Sequence, residues 1–366
     1  GKQRRKLHFL SGIILRNFII SSILILVFIT TIIQKNVYIE LSLEVWTFVK
    51  DKETLRRAAQ QVMEQVGTVI FGKDTVIRQI MTAFAANGHI LLEDIPGVGK
   101  TTLALAFSKA MELDYHRIQF TPDVLPADLT GFSIYRREEE RFVYRPGSVF
   151  CNLLLADEIN RTSPKTQSAL LEVMEERQVT VEGVTRPVPA PFLVIATQNP
   201  LGSVGSQPLP EPQVDRFMIS MSIGYPDYEG ELKMAQSIGA ANRLDQVEPV
   251  MGRQDLLDIQ NQVCQVQLKD TLYRYLVELV QATRKHPYVQ QGGSPRATIA
   301  LVRLSRASAW LQGRDYVTPR DVEEQLPYVL RHRLILGADA RLAEVTPDQV
   351  VADVLSSVHR PTLERD

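Results

Sequence analysis

The stretch Glu93 to Thr102, EDIPGVGKTT, does most to limit what this chain can become. It follows the apolar run His89-Ile90-Leu91-Leu92 and opens a helical pattern from Thr101 to Leu113. A strand, a glycine-bearing loop closing on Gly-Lys-Thr and then a helix is the layout that cradles nucleotide phosphates. Loop N–H groups and the positive helix end face the anion, the lysine reaches the β- and γ-phosphates, and the hydroxyl can ligate Mg²⁺. Pro96, Gly97, Val98, Gly99, Lys100, Thr101 and Thr102 are therefore candidate ATP contacts, with Lys100 also catalytic and Thr101 a metal ligand. The pattern asks for glycine at position 94, where this chain has Asp94; Gly97 and Gly99 supply the backbone freedom instead.

A second motif narrows the field. The strand pattern Asn152 to Ala156 ends in Asp157-Glu158. A carboxylate at the end of a buried strand beside a phosphate loop can hold Mg²⁺ through its water shell, and its neighbour can polarise an attacking water. Asp157 is thus the metal candidate and Glu158 the catalytic one. Asn199 ends the next apolar strand and can orient that water, although an Asn before Pro is also an ordinary turn residue. Arg216, in EPQVDRF, reads alone as a surface ion pair. Arg296, in GGSPRAT, stands at a helix start, where the dipole disfavours a cation and a phosphate would suit it.

Alternation and helical spacing arrange these motifs as an α/β fold, a parallel sheet followed by helices. Between the phosphate loop and Phe192–Thr197 lie strand patterns at Tyr115–Phe120 and Val149–Ala156, and a helix opening at Ser163-Pro164 and running to Glu176. Two hairpins decorate them: Phe132–Tyr144, with the charged tip Arg136 to Glu140, and Gln178–Val188, turning at Glu182-Gly183. The apolar turn Val69–Gly72 reads equally as packing or as part of an adenine pocket. After Tyr225-Pro226 only helical spacing continues. The expected division is an N-terminal segment 1–50, an α/β core 51–225 and a helical domain 226–366.

Composition bears on compartment and partners. With 45% hydrophobic and 23% charged residues and a net charge of −1, the 366-residue chain offers no polyanion-binding excess, which disfavours nucleic acid. Cys151 and Cys264 sit in apolar patterns and read as buried free thiols of a reducing, cytoplasmic setting. Residues 1–50 differ: basic Lys2, Arg4, Arg5 and Lys6 precede an uncharged run from Asn17 to Ile33, at the short limit for a membrane span. A membrane tether, a targeting leader and translated sequence upstream of the true start are the three readings. The last is preferred, because the positive-inside rule would place the nucleotide site away from ATP.

From about Leu55 onward the chain resembles the MoxR family of AAA+ ATPases, through EDIPGVGKT, LLLADEINR, ATQNP, LPEPQVDRF and SPRAT, in that order. In that family an acidic residue replaces the first loop glycine, so Asp94 joins the nucleotide-binding candidates. The resemblance implies a Walker A lysine at Lys100, Walker B acids at Asp157 and Glu158, and sensor 1 at Asn199. It further implies an arginine finger at Arg216, presented to a neighbouring subunit, and a lid-borne sensor 2 at Arg296. The hairpins correspond to the helix-2 insert and the pre-sensor-1 hairpin, and 226–366 to an all-helical lid. RPGSVF departs slightly from the family's Gly-Pro order, and residues 1–50 have no counterpart. The resemblance also implies a homo-oligomeric, hexameric ring, a protein client and a partner with a von Willebrand A domain. A DNA-acting motor, a chelatase motor subunit and a small-molecule P-loop kinase are the alternatives, with a nucleotide-gated scaffold disfavoured by the two intact acids.

Overall fold

The computed structural model describes residues 50–199, 209–236 and 243–362, of which 52 onward belong to one compact unit. Among these residues no helix is long and apolar enough to cross a membrane; the apolar run 17–33 lies outside them. So do most of the loop after Asn199 and the sequence end.

The strands are β1 (Ile90–Glu93), β2 (Tyr115–Gln119), β3 (Phe132–Arg136), β4 (Arg141–Arg145), β5 (Leu153–Asp157), β6 (Gln178–Val181), β7 (Val184–Pro187), β8 (Leu193–Gln198) and β9 (Ile219–Met221). Five of them form a parallel sheet in the order β2-β5-β8-β1-β9. Central strands buried on both faces need continuous apolar sequence, which ILLE, LLLAD and LVIATQ supply.

Alternate residues divide that apolar sequence between two cores. Ile90, Leu92, Leu153, Leu155, Leu193 and Ile195 face the helices Lys52–Gly67, Asp74–Ala85 and Lys100–Ala110, in a core that runs on into the C-terminal helices. Leu91, Leu154, Ala156, Val194 and Ala196 face the helix Pro164–Glu176. Ser163 caps that helix by accepting from Thr166 N–H, with Pro164 at its first position.

Both hairpins form. In β3–β4 the pairs run from Phe132 with Arg145 to Arg136 with Arg141. The β6–β7 pair turns through Glu182 and Gly183, both at positive φ, the primed turn that suits strand twist. The C-terminal part is helical, with one addition: Val289–Gln291 pairs antiparallel with Ile335–Leu336. Pairs that short leave too little alternation to read. Two expectations are corrected. The strand expected over Val149–Ala156 begins only at Leu153; Val149 and Cys151 are buried in a turn that supplies apolar side chains without ladder pairing. Cys264, expected to be buried, is exposed near the end of Arg253–Cys264, whereas Cys151 is buried and its thiol pushed up to about 12 by desolvation.

Candidate functional site

Parallel strands carry their carboxyl ends to one edge, and the phosphate loop, the two acids and Asn199 meet there. Gly97 and Gly99 adopt φ of 87° and 90°, values a side chain resists, and Gly99 leads directly into the helix Lys100–Ala110. The lysine is buried, and its Nζ donates to the carbonyls of Asp94 (2.8 Å) and Ile95 (3.2 Å). Desolvation lowers its pKa, against the opposing pull of Asp94, Asp157 and Glu158. The loop's own carbonyls thus hold the ammonium in place against the loop. Pro96 and Gly97 are exposed at its rim, while Val98, Thr101 and Thr102 are half-buried.

Asp94 does a different job from its neighbours. Its carboxylate is buried and accepts from the backbone N–H groups of Ile223 and Gly224, just after β9. Glu93 accepts from Gln198 Nε2 and Ser220 Oγ. The two acids tie the base of the loop to the flanking strands, and the Asp94 carboxylate is spent on those backbone N–H groups. Ile70 comes within contact distance of a Cβ placed on Gly99 (3.9 Å), which puts the Val69–Gly72 turn against the loop.

The paired acids are held from both sides. Thr197 Oγ1 donates to Asp157 Oδ1 (2.7 Å) and accepts from Glu158 N–H (2.8 Å). Arg117 Nη2 donates to Asp157 Oδ2 (2.7 Å). Glu158 sits at φ 57°, ψ 49°, a strained left-handed conformation that turns its side chain out of the strand line. There Asn199 Nδ2 donates to Oε1 (2.9 Å) and Arg161 Nη1 to Oε2 (2.6 Å). Sequence reasoning found Asp157, Glu158 and Asn199 but not Thr197, Arg117 or Arg161. Their signals are the hydroxyl inside ATQNP, the arginine that ends LLLADEINR and a cation on β2, the strand beside β5.

Mg²⁺ fits this donor set. It takes one or two protein oxygens and completes its shell with water and phosphate. The Thr101 hydroxyl opens the helix after the lysine, and both Asp157 oxygens keep a free lone pair beyond the bonds described. Among the described residues no group of three or more His, Cys, Asp or Glu could hold a metal by itself.

Arg216 and Arg296 are elsewhere. Both line a cavity of about 420 Å³ together with His89, Met174, Glu175, Arg177, Asp215 and Arg333. His89 precedes β1, Met218 precedes β9 and donates its N–H to His89 O (2.8 Å), and Glu175 lies in the last turn of Pro164–Glu176. This is the amino-terminal edge of the sheet, separated from the phosphate loop by β1, about 13 Å long for four residues. Glu175 joins the two arginines, with Oε2 3.4 Å from Arg216 Nη1 and Oε1 bonded to Arg296 Nη2. The sequence grouped Arg296 with the nucleotide contacts; the fold groups it with Arg216, away from its own chain's loop.

The lid grips the segment that carries Arg216. Arg333 is buried; its Nε donates to Asp215 Oδ1 (2.7 Å) and its other nitrogens to the carbonyls of Asp215, Phe217, Met218 and Val329. Ser294 Oγ adds a bond to Asp215 Oδ2 (2.9 Å), at the start of the helix bearing Arg296. Nothing local in the sequence marks this clamp.

Comparison with known proteins agrees with this architecture. A family model described as ATPase family associated with various cellular activities (AAA) matches residues 89–219, and one described as AAA lid domain matches 281–354. The chain is 42% identical over 317 residues to Chaperone MoxR1 of Mycobacterium tuberculosis, covering 84% of this chain and 82% of the relative. Protein MoxR of Methylorubrum extorquens is 30% identical over 334 residues (84% and 96%), and YeaC of Bacillus subtilis, which is uncharacterized, 44% over 310 (85% and 97%). A crystal structure from Cytophaga hutchinsonii matches with a TM-score of 0.80 at 39% identity, covering 87% of this chain and 99% of that one.

Proposed function

The chain belongs to the MoxR family of AAA+ ATPases, and from that premise we propose that it hydrolyses Mg²⁺-ATP at the interfaces of a ring and acts, chaperone-like, on a protein client. One observation carries the interface reading: Lys100, Asp157, Glu158 and Asn199 occupy one edge of the sheet and Arg216 with Arg296 the other. Both arginines then serve the site of an adjacent copy.

Lys100 holds the phosphates, trading its loop carbonyls for phosphate oxygens. Thr101 and Asp157 are the groups that would hold Mg²⁺, which supplies neutralisation of phosphate charge. Glu158 accepts the proton of the attacking water at a carboxylate oxygen, and Asn199 fixes the position of that carboxylate. Arg216 and Arg296 meet the charge that develops on the neighbour's transferring phosphoryl group. A trans arginine of this kind is worth roughly 10³ to 10⁵ in rate. Arg216→Ala is therefore expected to keep ATP binding and to lose at least about 10³ of kcat, whereas a chain whose turnover survives that change would not work through the interface. Glu158→Gln is expected to bind ATP without turnover.

A protein client suits the hairpins better than nucleic acid does. At the tip of β3–β4, Glu139 bonds both Arg136 (2.9 Å) and Arg141 (2.7 Å), and with Glu138 and Glu140 beside it the three bases Arg136, Arg137 and Arg141 are balanced by three acids. Tyr135 and Phe142 stand exposed beside them, in edge contact at 5.3 Å. A partner with a von Willebrand A domain is part of this reading on family resemblance.

A further inference from the structure

We infer that Glu175 is a stand-in for the neighbour's phosphate, holding Arg216 and Arg296 in the free chain and releasing them when a nucleotide-loaded copy docks. The inference rests on the interface role proposed for those arginines. Two carboxylate oxygens, one on each guanidinium, reproduce how two phosphate oxygens would be shared.

Three features make this carboxylate a replaceable partner. Its single negative charge is divided between two cations, and a phosphate group brings more charge and more acceptors. It sits in the last turn of Pro164–Glu176, a turn with no basic residue, where the helix dipole disfavours an anion. Its side chain is 45% exposed, so a competitor reaches it from solvent. The surrounding arginines do not substitute for it: Arg333 is matched by Asp215, and Arg177 donates to the carbonyls of Phe192 and Asn87. Arg216 Nε is buried with no partner among the described residues, which leaves the finger short of one acceptor.

The test uses the full chain with Lys100→Ala, which silences its own phosphate loop, and inorganic tripolyphosphate titrated by calorimetry. Adding Glu175→Gln, a same-shaped change at an exposed position, is expected to tighten binding about 3- to 10-fold, the worth of partly exposed ion pairs. Adding Arg216→Ala and Arg296→Ala is expected to remove the gain. Unchanged or weaker binding, or a gain that persists without the two arginines, overturns the inference. With Lys100 intact, Glu175→Gln is expected to reach half-maximal ATPase at a protein concentration lower by a similar factor. A loss of ATPase as deep as that of Arg216→Ala would instead make Glu175 a group the working ring needs, and would also overturn it. Intact turnover in Arg216→Ala would sink the interface reading alone, since the tripolyphosphate titration decides on Glu175 independently.

Discussion

At the scale of single residues, the two acids share a hydroxyl that sits inside ATQNP, two residues before Asn199. Thr197 is fully buried and spends its oxygen on both acids at once, donating to Asp157 and accepting from Glu158 N–H. Thr197→Val keeps the volume but leaves a carboxylate oxygen and an N–H unpaired, and the strained turn at Glu158 loses its anchor. Groups that orient catalytic residues in this way are typically worth about 10- to 100-fold in activity, so kcat is expected to fall by that factor while ATP affinity changes less. Steady-state kinetics beside a nucleotide titration would check it. Lys100, Asp157 and Glu158 were legible because their chemistry lies in short contiguous motifs. Thr197, Arg117 and Glu175 were not, because each acts on a partner brought close only by the sheet or by a packed helix. Asp94 was legible as a departure, but its task of pinning Ile223 and Gly224 needed the fold.

At the scale of elements, His89 joins the central strands to the helix that carries Glu175. Its Nδ1 accepts from Val194 N–H (3.1 Å), so its proton is on Nε2, donated to Met174 O (3.1 Å). A second proton would oppose an N–H with an N–H, and burial together with Arg177 lowers the pKa from 6.5 to about 3. The unfolded chain thus takes up this proton first as pH falls. The contribution of His89 is full above about 6.5 and is lost on descending towards about 3, at about 1.4 kcal/mol per pH unit. In urea denaturation, His89→Gln is expected to lose about 2 to 3 kcal/mol less than the parent chain between pH 6.5 and 4.5. A residual slope from His332, also lowered by burial, is expected to remain. Parallel slopes in the two proteins would show that His89 does not titrate on unfolding. The elements themselves were mostly legible from alternation and caps. The early start read for β5 failed because burial at Val149 and Cys151 has the same sequence signature as a strand.

At the scale of the molecule, the phosphate loop with its acids and the pair Arg216 and Arg296 lie at opposite edges of one sheet. The lid does not close over its own phosphate loop with Arg296; through Arg333, Ser294 and Asp215 it grips the segment bearing Arg216. The lid thus holds both arginines on one rigid set of contacts, Arg296 on its own helix and Arg216 through Asp215. Sequence order showed that the arginines existed, while only the strand directions showed which edge each one takes. The most direct test is complementation. Lys100→Ala keeps its arginines but cannot hold phosphate, and Arg216→Ala with Arg296→Ala keeps its loop but offers no finger, so each alone is expected to be inactive. Mixed in equal amounts, they are expected to regain activity at about a quarter of their interfaces, where an intact loop meets intact arginines. A mixture no more active than the sum of its parts, under conditions where the two proteins co-assemble, would contradict a site shared between subunits.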